Sequence, residues 1–458
     1  MTTTSHRLLP ALALALLLTG CGANQAAAPT PLAEPTAAAE ATQPAPPSPA
    51  PTVAPTVEPT AEPTASPTAP AVAAYLLGAD GMLRRWSPGA GGPADVAALP
   101  ADASSVSVAP GGGTVAFVAQ GRAVVRNLAD GTDADVTPDG LERLPDGQPI
   151  SGFRWSPDGQ SLLFDLDLGP DPICNPEAQI YVVSLPAAAA RPLGPGLAPT
   201  WSPDGTRVAY AGPPFDCTTP FGGGPGGKLT VAAPDLSGAR VLDPQEGIRP
   251  TGDPPQWHPI LWSPDSRRVG AGAAVYDAAS GAVVRRVEPQ GGEYIGALWH
   301  LGQESVGYWR NVRTDSPPGR VSQAGDEVSF VEYDEFVSLS PDGRQVALAR
   351  TALIDCPCLA LARAAEVTWS ADGATMLLFG QIAGDERSGL WRYNGRSAAE
   401  PVFLALLERA NEAPPLLAPD GRYALLNVSL DEQPHVLAFP LDGGTPVDLG
   451  AGRALGWR

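Results

Sequence analysis

Short runs of alternating apolar and polar residues recur along most of the chain and predict β-strands. Clear examples are residues 161–164, 207–210 and 345–348, each of which follows a turn rich in Pro, Asp and Gly. Such turns close antiparallel hairpins. Further strands follow in the clearer copies, as at residues 179–183 and 282–285. The pattern therefore predicts a repeated unit of four antiparallel strands.

A five-residue turn motif, Trp-Ser-Pro-Asp-Gly, introduces these strands. Its apolar residue ends a strand, Pro sets the first corner, Asp caps the turn, and Gly adopts the left-handed conformation that closes it. Most copies lie 37 to 48 residues apart, which is the period of a four-stranded propeller blade. Copies of decreasing fidelity begin at Trp155, Trp201, Trp262, Leu339, Trp369, Leu417 and Val108, and a decayed copy lies near Trp299.

These motifs, each followed by a short apolar strand, resemble the TolB-type, WD40-related propeller repeat, and the resemblance covers residues 73–458. It implies an all-β fold, a β-propeller of four-stranded antiparallel blades. A literal count gives nine blades, but Leu339 and Trp369 lie only 30 residues apart, which is too short for four strands and their loops. We therefore expect one unit to be merged or incomplete. Eight blades are expected, within a range of seven to nine.

The two ends of this region complement each other. Residues 74–77, 82–86 and 95–98 predict three strands with no motif before them, whereas residues 454–457 predict a lone motif strand with nothing after it. We expect the C-terminal strand to join the N-terminal blade and close the ring, because closure hides strand edges that would otherwise be exposed.

The N-terminus has the features of an export signal. His6 and Arg7 precede an apolar run at residues 8–18, which is too short to span a bilayer. Leu18-Thr19-Gly20-Cys21 follows and resembles the bacterial lipobox. This resemblance implies that residues 1–20 are a lipoprotein signal peptide and that Cys21 is lipidated. The alternative is a soluble secreted protein with an incidental cysteine.

Residues 21–72 predict a disordered tether behind the lipidated cysteine. From residue 22 to 71 the chain is almost entirely Ala, Pro, Thr and Glu, with no Lys or Arg. Such a composition cannot form a core, and frequent proline favours an extended backbone. At roughly 3.1 Å per residue, the segment could reach about 150 Å. It is either a spacer or a passive linker.

The charge balance limits the partners. The chain carries 49 acidic and 29 basic residues, a formal net charge of -20, and Lys228 is its only lysine. This charge repels nucleic acids and anionic lipid surfaces. We therefore expect no nucleic acid partner, and membrane contact through the N-terminal lipid only. A monomer in an extracytoplasmic, lipid-anchored location is expected.

Four cysteines remain after Cys21, and export makes disulfides possible. Cys174 and Cys217 are 43 residues apart, close to one repeat, so they are predicted to pair between neighbouring blades. Buried reduced thiols are the alternative. Cys356 and Cys358 would form a strained local bridge, remain unpaired, or serve a redox role.

An acidic segment provides the one metal candidate. Asp165, Asp167 and Asp171 place oxygen ligands around a glycine, as calcium loops do, but the bidentate Glu of an EF-hand is absent. The alternative is a strand end whose carboxylates face water. No cofactor other than this calcium ion is expected.

The remaining chemistry favours binding over catalysis. No G-x-S-x-G motif occurs, and the three histidines beyond the signal are scattered. The motif tryptophans recur in every repeat and are interpreted as core rather than as a carbohydrate-stacking site. The sequence therefore predicts a module that binds an envelope protein, peptide or glycan, with residues 213–227 as the first loop to suspect. The alternatives are a propeller enzyme, a polysaccharide lyase or glycoside hydrolase, and a structural scaffold.

Overall fold

The computed structural model describes residues 72–458 with internal gaps, those of eight or more residues at 167–177, 217–225, 353–366 and 407–414. The described residues form β-strands joined by turns, and they belong to one compact unit, Thr68–Arg458. They contain no helix long and apolar enough to cross a membrane.

The strands pair mainly with their neighbours in the sequence, in antiparallel groups of four. The first groups are β1 (Ala74–Gly78), β2 (Met82–Trp86) and β3 (Ala94–Ala98); β4 (Ser104–Val108), β5 (Thr114–Ala119), β6 (Arg122–Asn127) and β7 (Asp133–Asp135); β8 (Arg154–Trp155), β9 (Ser161–Leu166), β10 (Gln179–Ser184) and β11 (Arg191–Pro195); and β12 (Leu197–Trp201), β13 (Val208–Asp216), β14 (Gly226–Ala232) and β15 (Arg240–Val241).

The second half of the chain continues this order. It contains the hairpin β16 (Pro250–Thr251) and β17 (Gln256–Trp257); β18 (Leu261–Trp262), β19 (Arg268–Ala271), β20 (Ala274–Asp277) and β21 (Val283–Arg286); β22 (Tyr294–His300), β23 (Ser305–Thr314), β24 (Arg320–Ala324), β25 (Glu327–Leu339) and β26 (Gln345–Ala352); β27 (Val367–Trp369), β28 (Thr375–Gln381), β29 (Ser388–Asn394) and β30 (Val402–Leu406); and β31 (Leu416–Leu417), β32 (Tyr423–Leu430), β33 (Gln433–Pro440) and β34 (Val447–Trp457).

The position of a strand in its sheet explains its burial. Second and third strands, such as β9 and β10, are apolar on both faces and almost wholly buried, because neighbouring sheets cover both sides. Fourth strands such as β7 and β15 are largely exposed. The core therefore lies between the faces of successive sheets.

The short spacing after Leu339 has a structural explanation. β25 ends at Leu339, and β26 begins at Gln345 and pairs with β25 rather than starting a new sheet. β22, β23, β25 and β26 thus share one sheet, with β24 paired to the first part of β25. The Leu339 motif is therefore merged into the sheet of the decayed copy, as the spacing predicts.

The C-terminal strand pairs with the N-terminal strand. The first part of β34 pairs with β33, up to Ala451 opposite His435, and its second part pairs with β1, from Gly452 opposite Gly78 to Trp457 opposite Ala74. One seven-stranded sheet results, in the order β3-β2-β1-β34-β33-β32-β31. The predicted pairing of the two ends is thus present in the structure.

Candidate functional site: an arginine-lined cavity between first strands

A cavity of about 510 Å³ lies where the first strands of successive sheets converge. β4, β8 and β12 contribute to its lining, and the second part of β34 supplies the fourth wall. In a propeller, the first strands surround the central channel. The lining comprises residues 105–107, Pro110, 152–155, Pro157, 200–203, Arg453, Leu455 and Arg458.

The turn motif fixes the ends of the cavity-lining strands β8 and β12, and of the first strand β18 outside the cavity. In three motifs the Ser hydroxyl donates to the Asp carboxylate at 2.6 Å, and the same Asp accepts a backbone N–H two residues later, which tightens the turn. The Ser–Asp pairs are Ser156 with Asp158, Ser202 with Asp204, and Ser263 with Asp265.

Hydrogen bonds strongly stabilise the carboxylate of one motif. Partial burial alone would raise the pKa of Asp204, but bonds from the Ser202 hydroxyl and from the backbone and hydroxyl of Thr206 outweigh it. Together with the neighbouring Ser266 hydroxyl they lower the pKa of Asp204 to about 2. The Asp204 carboxylate is therefore ionised throughout the physiological pH range.

The motif tryptophans connect neighbouring sheets. The indole N–H of Trp155, Trp201 and Trp262 each donates to the carbonyl oxygen one residue before the motif position in the preceding sheet, so the bond joins adjacent first strands. Trp457 makes the equivalent bond within the seven-stranded sheet, to β31. The bonds run from Trp155 to Ser107 at 3.2 Å, from Trp201 to Arg154 at 3.0 Å, from Trp262 to Thr200 at 3.4 Å, and from Trp457 to Leu416 at 2.8 Å. Trp457 thus occupies the motif position of the N-terminal sheet.

Two of these tryptophans correct the sequence interpretation. Trp262 is buried, at 5% exposure, as a core residue would be. Trp155 and Trp201 are only half-buried and line the cavity. The core interpretation is incomplete for these two, because the end of a first strand faces both the core and the cavity.

The first strands are irregular beside the cavity. The pairing of β4 with β5 shifts register between Ser104 and Ser107, and that of β12 with β13 shifts between Leu197 and Thr200. Three residues before the motif, Ser105 has a φ of 49° and Ala198 a φ of 50°. Left-handed conformations and bulges of this kind concentrate at functional sites, where they redirect side chains.

Three arginines line the cavity: Arg154 from β8, and Arg453 and Arg458 from the end of the chain. We call them the cavity arginines. Arg458 Nε donates to the Val108 carbonyl at 2.8 Å, and its Nη1 to the Trp457 carbonyl at 2.9 Å. None of the three forms an ion pair with a carboxylate of the described residues.

Burial affects two of these charges. Arg453 and Arg458 are open to the cavity, but protein surrounds them on their other sides. The resulting desolvation lowers the pKa of both guanidinium groups, and Tyr75 only partly offsets this for Arg458. Both remain cationic because arginine begins far above neutral pH. Such groups donate hydrogen bonds to anions and orient them, but they do not transfer protons as general acids or bases.

Most of the residues singled out from the sequence lie outside the described residues. Cys21, Cys174, Cys217, Cys356 and Cys358 are among them, as are Asp167 and Asp171. Their predicted lipidation, disulfides and calcium binding remain predictions.

Asp165 is the one residue of these sets that the structure describes. It lies in β9 opposite Ile180 and is buried at 5% exposure, so its side chain does not face water. Among the described residues, no group of three or more His, Cys, Asp or Glu is placed to hold a metal ion.

The suspected loop is described only at its base. Asp216 of β13 pairs with Gly226 of β14, and residues 217–225 lie outside the described part of the chain. Sequence reasoning missed the cavity arginines. Their signal was arginine close to a motif position in an acidic chain: Arg154 and Arg453 lie one and four residues before such a position, and Arg458 lies one residue after it.

Solved structures share the fold of this chain, although no known sequence family matches it. No family model matches the sequence, and no curated protein matches it. The dihydro-heme d1 dehydrogenase NirN, solved in complex with DHE, aligns over 87% of this chain and 77% of its own, with a TM-score of 0.50 and 14% identity. TolB from Acinetobacter baumannii aligns over 80% of this chain and 67% of its own, with a TM-score of 0.36 and 12% identity.

The β-propeller domain of the Trilobed protease from Pyrococcus furiosus aligns over 67% of this chain and 86% of its own, with a TM-score of 0.41 and 15% identity. At these identities the likeness concerns the fold alone. With its repeated four-stranded antiparallel sheets and its motif turns, this chain has an all-β fold of the β-propeller type.

Proposed function

We propose that this protein is a lipid-anchored, extracytoplasmic binding module whose ligand enters the cavity between the first strands. The carrying observation is that four first strands bring three cationic groups and two half-buried indoles to one concave site. Concave sites with a few convergent polar groups are the usual place of ligand binding. The ligand is a protein, peptide or glycan of the cell envelope.

The proposal includes a closed ring of eight blades. β31–β33 with the first part of β34 make the last blade, and the second part of β34 with β1–β3 makes the first. The two-stranded hairpin β16–β17 is an insertion before the Trp262 motif. A ring closed in this way holds the four walls of the cavity at fixed positions.

The anchoring part rests on Cys21 and the segment behind it. In the Cys21→Ser variant the thiol that would receive the lipid is absent. We expect the wild-type chain in the membrane fraction of its bacterial host and the variant in the soluble extracytoplasmic fraction. Equal membrane association of both chains would overturn the lipid anchor.

The binding part is tested by affinity capture with the full chain, tagged within residues 22–71 so that β34 stays intact. The bait is mixed with detergent-solubilised envelope, and the captured material is analysed by mass spectrometry for protein and for glycan. The control bait carries Arg154→Gln and Arg453→Gln. A ligand captured by the wild type and lost from the control supports the proposal, whereas identical capture by both baits contradicts it.

A further inference from the structure

The charge of the cavity is opposite to that of the protein as a whole. Acidic residues outnumber basic ones by 49 to 29, yet three arginines line this cavity and no described Asp or Glu does. Elsewhere in the described structure, arginines such as Arg84 and Arg126 bond to aspartates. Among the described residues, the cavity arginines therefore lack the carboxylate partner that Arg84 and Arg126 have.

The cavity arginines are exposed to solvent, so water rather than a carboxylate surrounds much of their guanidinium groups. Arg458 has two backbone carbonyls as partners, whereas the described residues provide no hydrogen-bond partner for the side chains of Arg154 and Arg453. An anion that enters the cavity can therefore bond to these groups without first breaking an ion pair within the described structure, and its charge-assisted hydrogen bonds would replace bonds to water.

We infer that the cavity binds the carboxylate groups of an acidic glycan. The planar guanidinium group matches the two oxygens of a carboxylate and can form paired, charge-assisted hydrogen bonds with it. Arg154 projects from a different sheet than Arg453 and Arg458, so the cavity can grip an anionic ligand from two sides. This inference rests on the proposed binding function and specifies its ligand.

The rest of the lining fits a sugar. The indoles of Trp155 and Trp201 are half-buried, and hydrogen bonds to neighbouring strands fix their N–H groups, which leaves carbon surface beside the arginines. Ser105, Ser107 and Thr200 add polar groups to the same lining. A sugar ring presents both apolar C–H surface and hydroxyl groups, so it matches both components.

The size of the cavity sets the length of the ligand. A volume of about 510 Å³ lies within the range of roughly 300 to 1,000 Å³ typical of small-ligand sites. It fits a short segment of a polysaccharide rather than a folded partner. An acidic peptide of similar length would present carboxylates but no sugar ring. It is therefore the comparison probe.

The test is calorimetric titration of the full chain in detergent. The probes are tetrasaccharides of glucuronate, galacturonate and mannuronate, each with its neutral carboxyl-reduced form, and tetraglutamate. We expect at least one acidic tetrasaccharide to bind about tenfold or more tightly than its reduced form and than tetraglutamate, as loss of a charge-assisted hydrogen bond implies.

Variants assign the binding to the cavity. Arg154→Gln with Arg453→Gln should weaken the acidic sugar by about tenfold or more. Arg122→Gln removes a surface charge that already pairs with Asp135, and it should leave the affinity unchanged.

Equal binding of acidic and reduced sugars would overturn this inference while leaving the binding function intact. Tighter binding of tetraglutamate would overturn the choice of a glycan. If none of these probes binds, the glycan inference falls; if envelope capture also yields no ligand, the binding function falls with it.

Discussion

The arginines of the outer strands are paired with aspartates, whereas the cavity arginines are not paired with any described carboxylate. On the outer strands, Arg84 Nε bonds to Asp95 at 2.8 Å, and Arg126 Nε bonds to Asp133 at 2.5 Å, each across a pair of neighbouring strands. At the inner edge, the cavity arginines have no described carboxylate partner. The outer charges stabilise the pairing of strands, and the inner charges are available to a ligand.

The two regions also differ in backbone conformation, although not in register. Register shifts occur at the cavity, between β4 and β5, and in outer hairpins, between β2 and β3 and between β10 and β11. Among the described non-glycine residues with positive φ, however, the two that lie within strands, Ser105 and Ala198, are both in first strands beside the cavity. Left-handed residues of this kind are strained and concentrate at functional sites. The comparison teaches that backbone strain, like unpaired positive charge, is found at the inner edge.

The largest expected effect comes from removing the end of β34. Deletion of residues 453–458 takes away the strand that pairs with β1 and the Trp457 indole, which packs 6.2 Å from Trp86. Loss of a large buried aromatic alone costs about 3 to 5 kcal/mol. We expect a large drop in melting temperature or an unfolded product, measured by circular dichroism.

The matched control for this deletion keeps the strand and removes only its charges. Arg453→Gln with Arg458→Gln should melt far closer to the wild type than the deletion does. If the deletion and the double substitution were equally destabilising, the strand pairing would not be the source of the stability.

The next largest loss of stability is expected at Gly452. At this residue the pairing partner of β34 changes from β33 to β1. Gly452 has a φ of 148°, and a Cβ there would lie 2.3 Å from the Leu77 carbonyl oxygen. Gly452→Ala should therefore cost about 2 to 3 kcal/mol in the free energy of unfolding, measured by denaturant titration.

Gly450→Ala is the control for backbone strain without the clash. Gly450 also has a positive φ, of 96°, but a Cβ there would meet nothing within 4 Å. We expect a cost of about 1 kcal/mol. Equal costs at the two positions would show that close approach to Leu77 does not matter.

A smaller effect appears in acid. The pKa of Asp204 is lowered to about 2 in the folded protein, from 3.8 in the absence of these contacts. A lowered pKa means that the stabilisation is complete above pH 3.8 and is lost as the pH falls towards 2. Asp204→Asn should therefore flatten the loss of stability between pH 4 and pH 2, measured as melting temperature against pH. An unchanged slope would contradict the assigned hydrogen bonds.

The smallest effect is expected at the outer edge. Arg122 and Asp135 form an ion pair in which both side chains are nearly half exposed, at 48% and 43%. Exposed pairs of this kind contribute below about 1 kcal/mol. Arg122→Gln should change the free energy of unfolding by no more than that. A larger loss would show that this outer ion pair contributes as much to folding as a buried interaction, which would contradict the distinction between inner and outer arginines.

Much of the fold can be predicted from the sequence because it is built from local signals. Turn residues and alternating strands define β9, β10 and β20, and the complementary ends predict the pairing of β34 with β1. The merged unit at Leu339 follows from its short spacing. These features depend on neighbouring residues or on the repeat period, which a sequence displays directly.

The cavity could not be predicted in the same way. Arg154 and Arg453 are 299 positions apart, and only the pairing of both chain ends in one sheet brings them to the same cavity. The half-exposure of Trp155 and Trp201 depends on which side of a first strand faces the channel. Position relative to the motif was the available clue, since every lining residue lies within four positions of a motif position.

Hydrogen exchange followed by mass spectrometry tests the central claim most directly. The full chain is compared with and without the tetrasaccharide that binds best. The account predicts slower exchange confined to peptides that cover residues 105–110, 152–157, 200–203 and 453–458, because these line the cavity. Protection at the outer strands β3 and β7, with no change in the cavity peptides at saturating ligand, would contradict it.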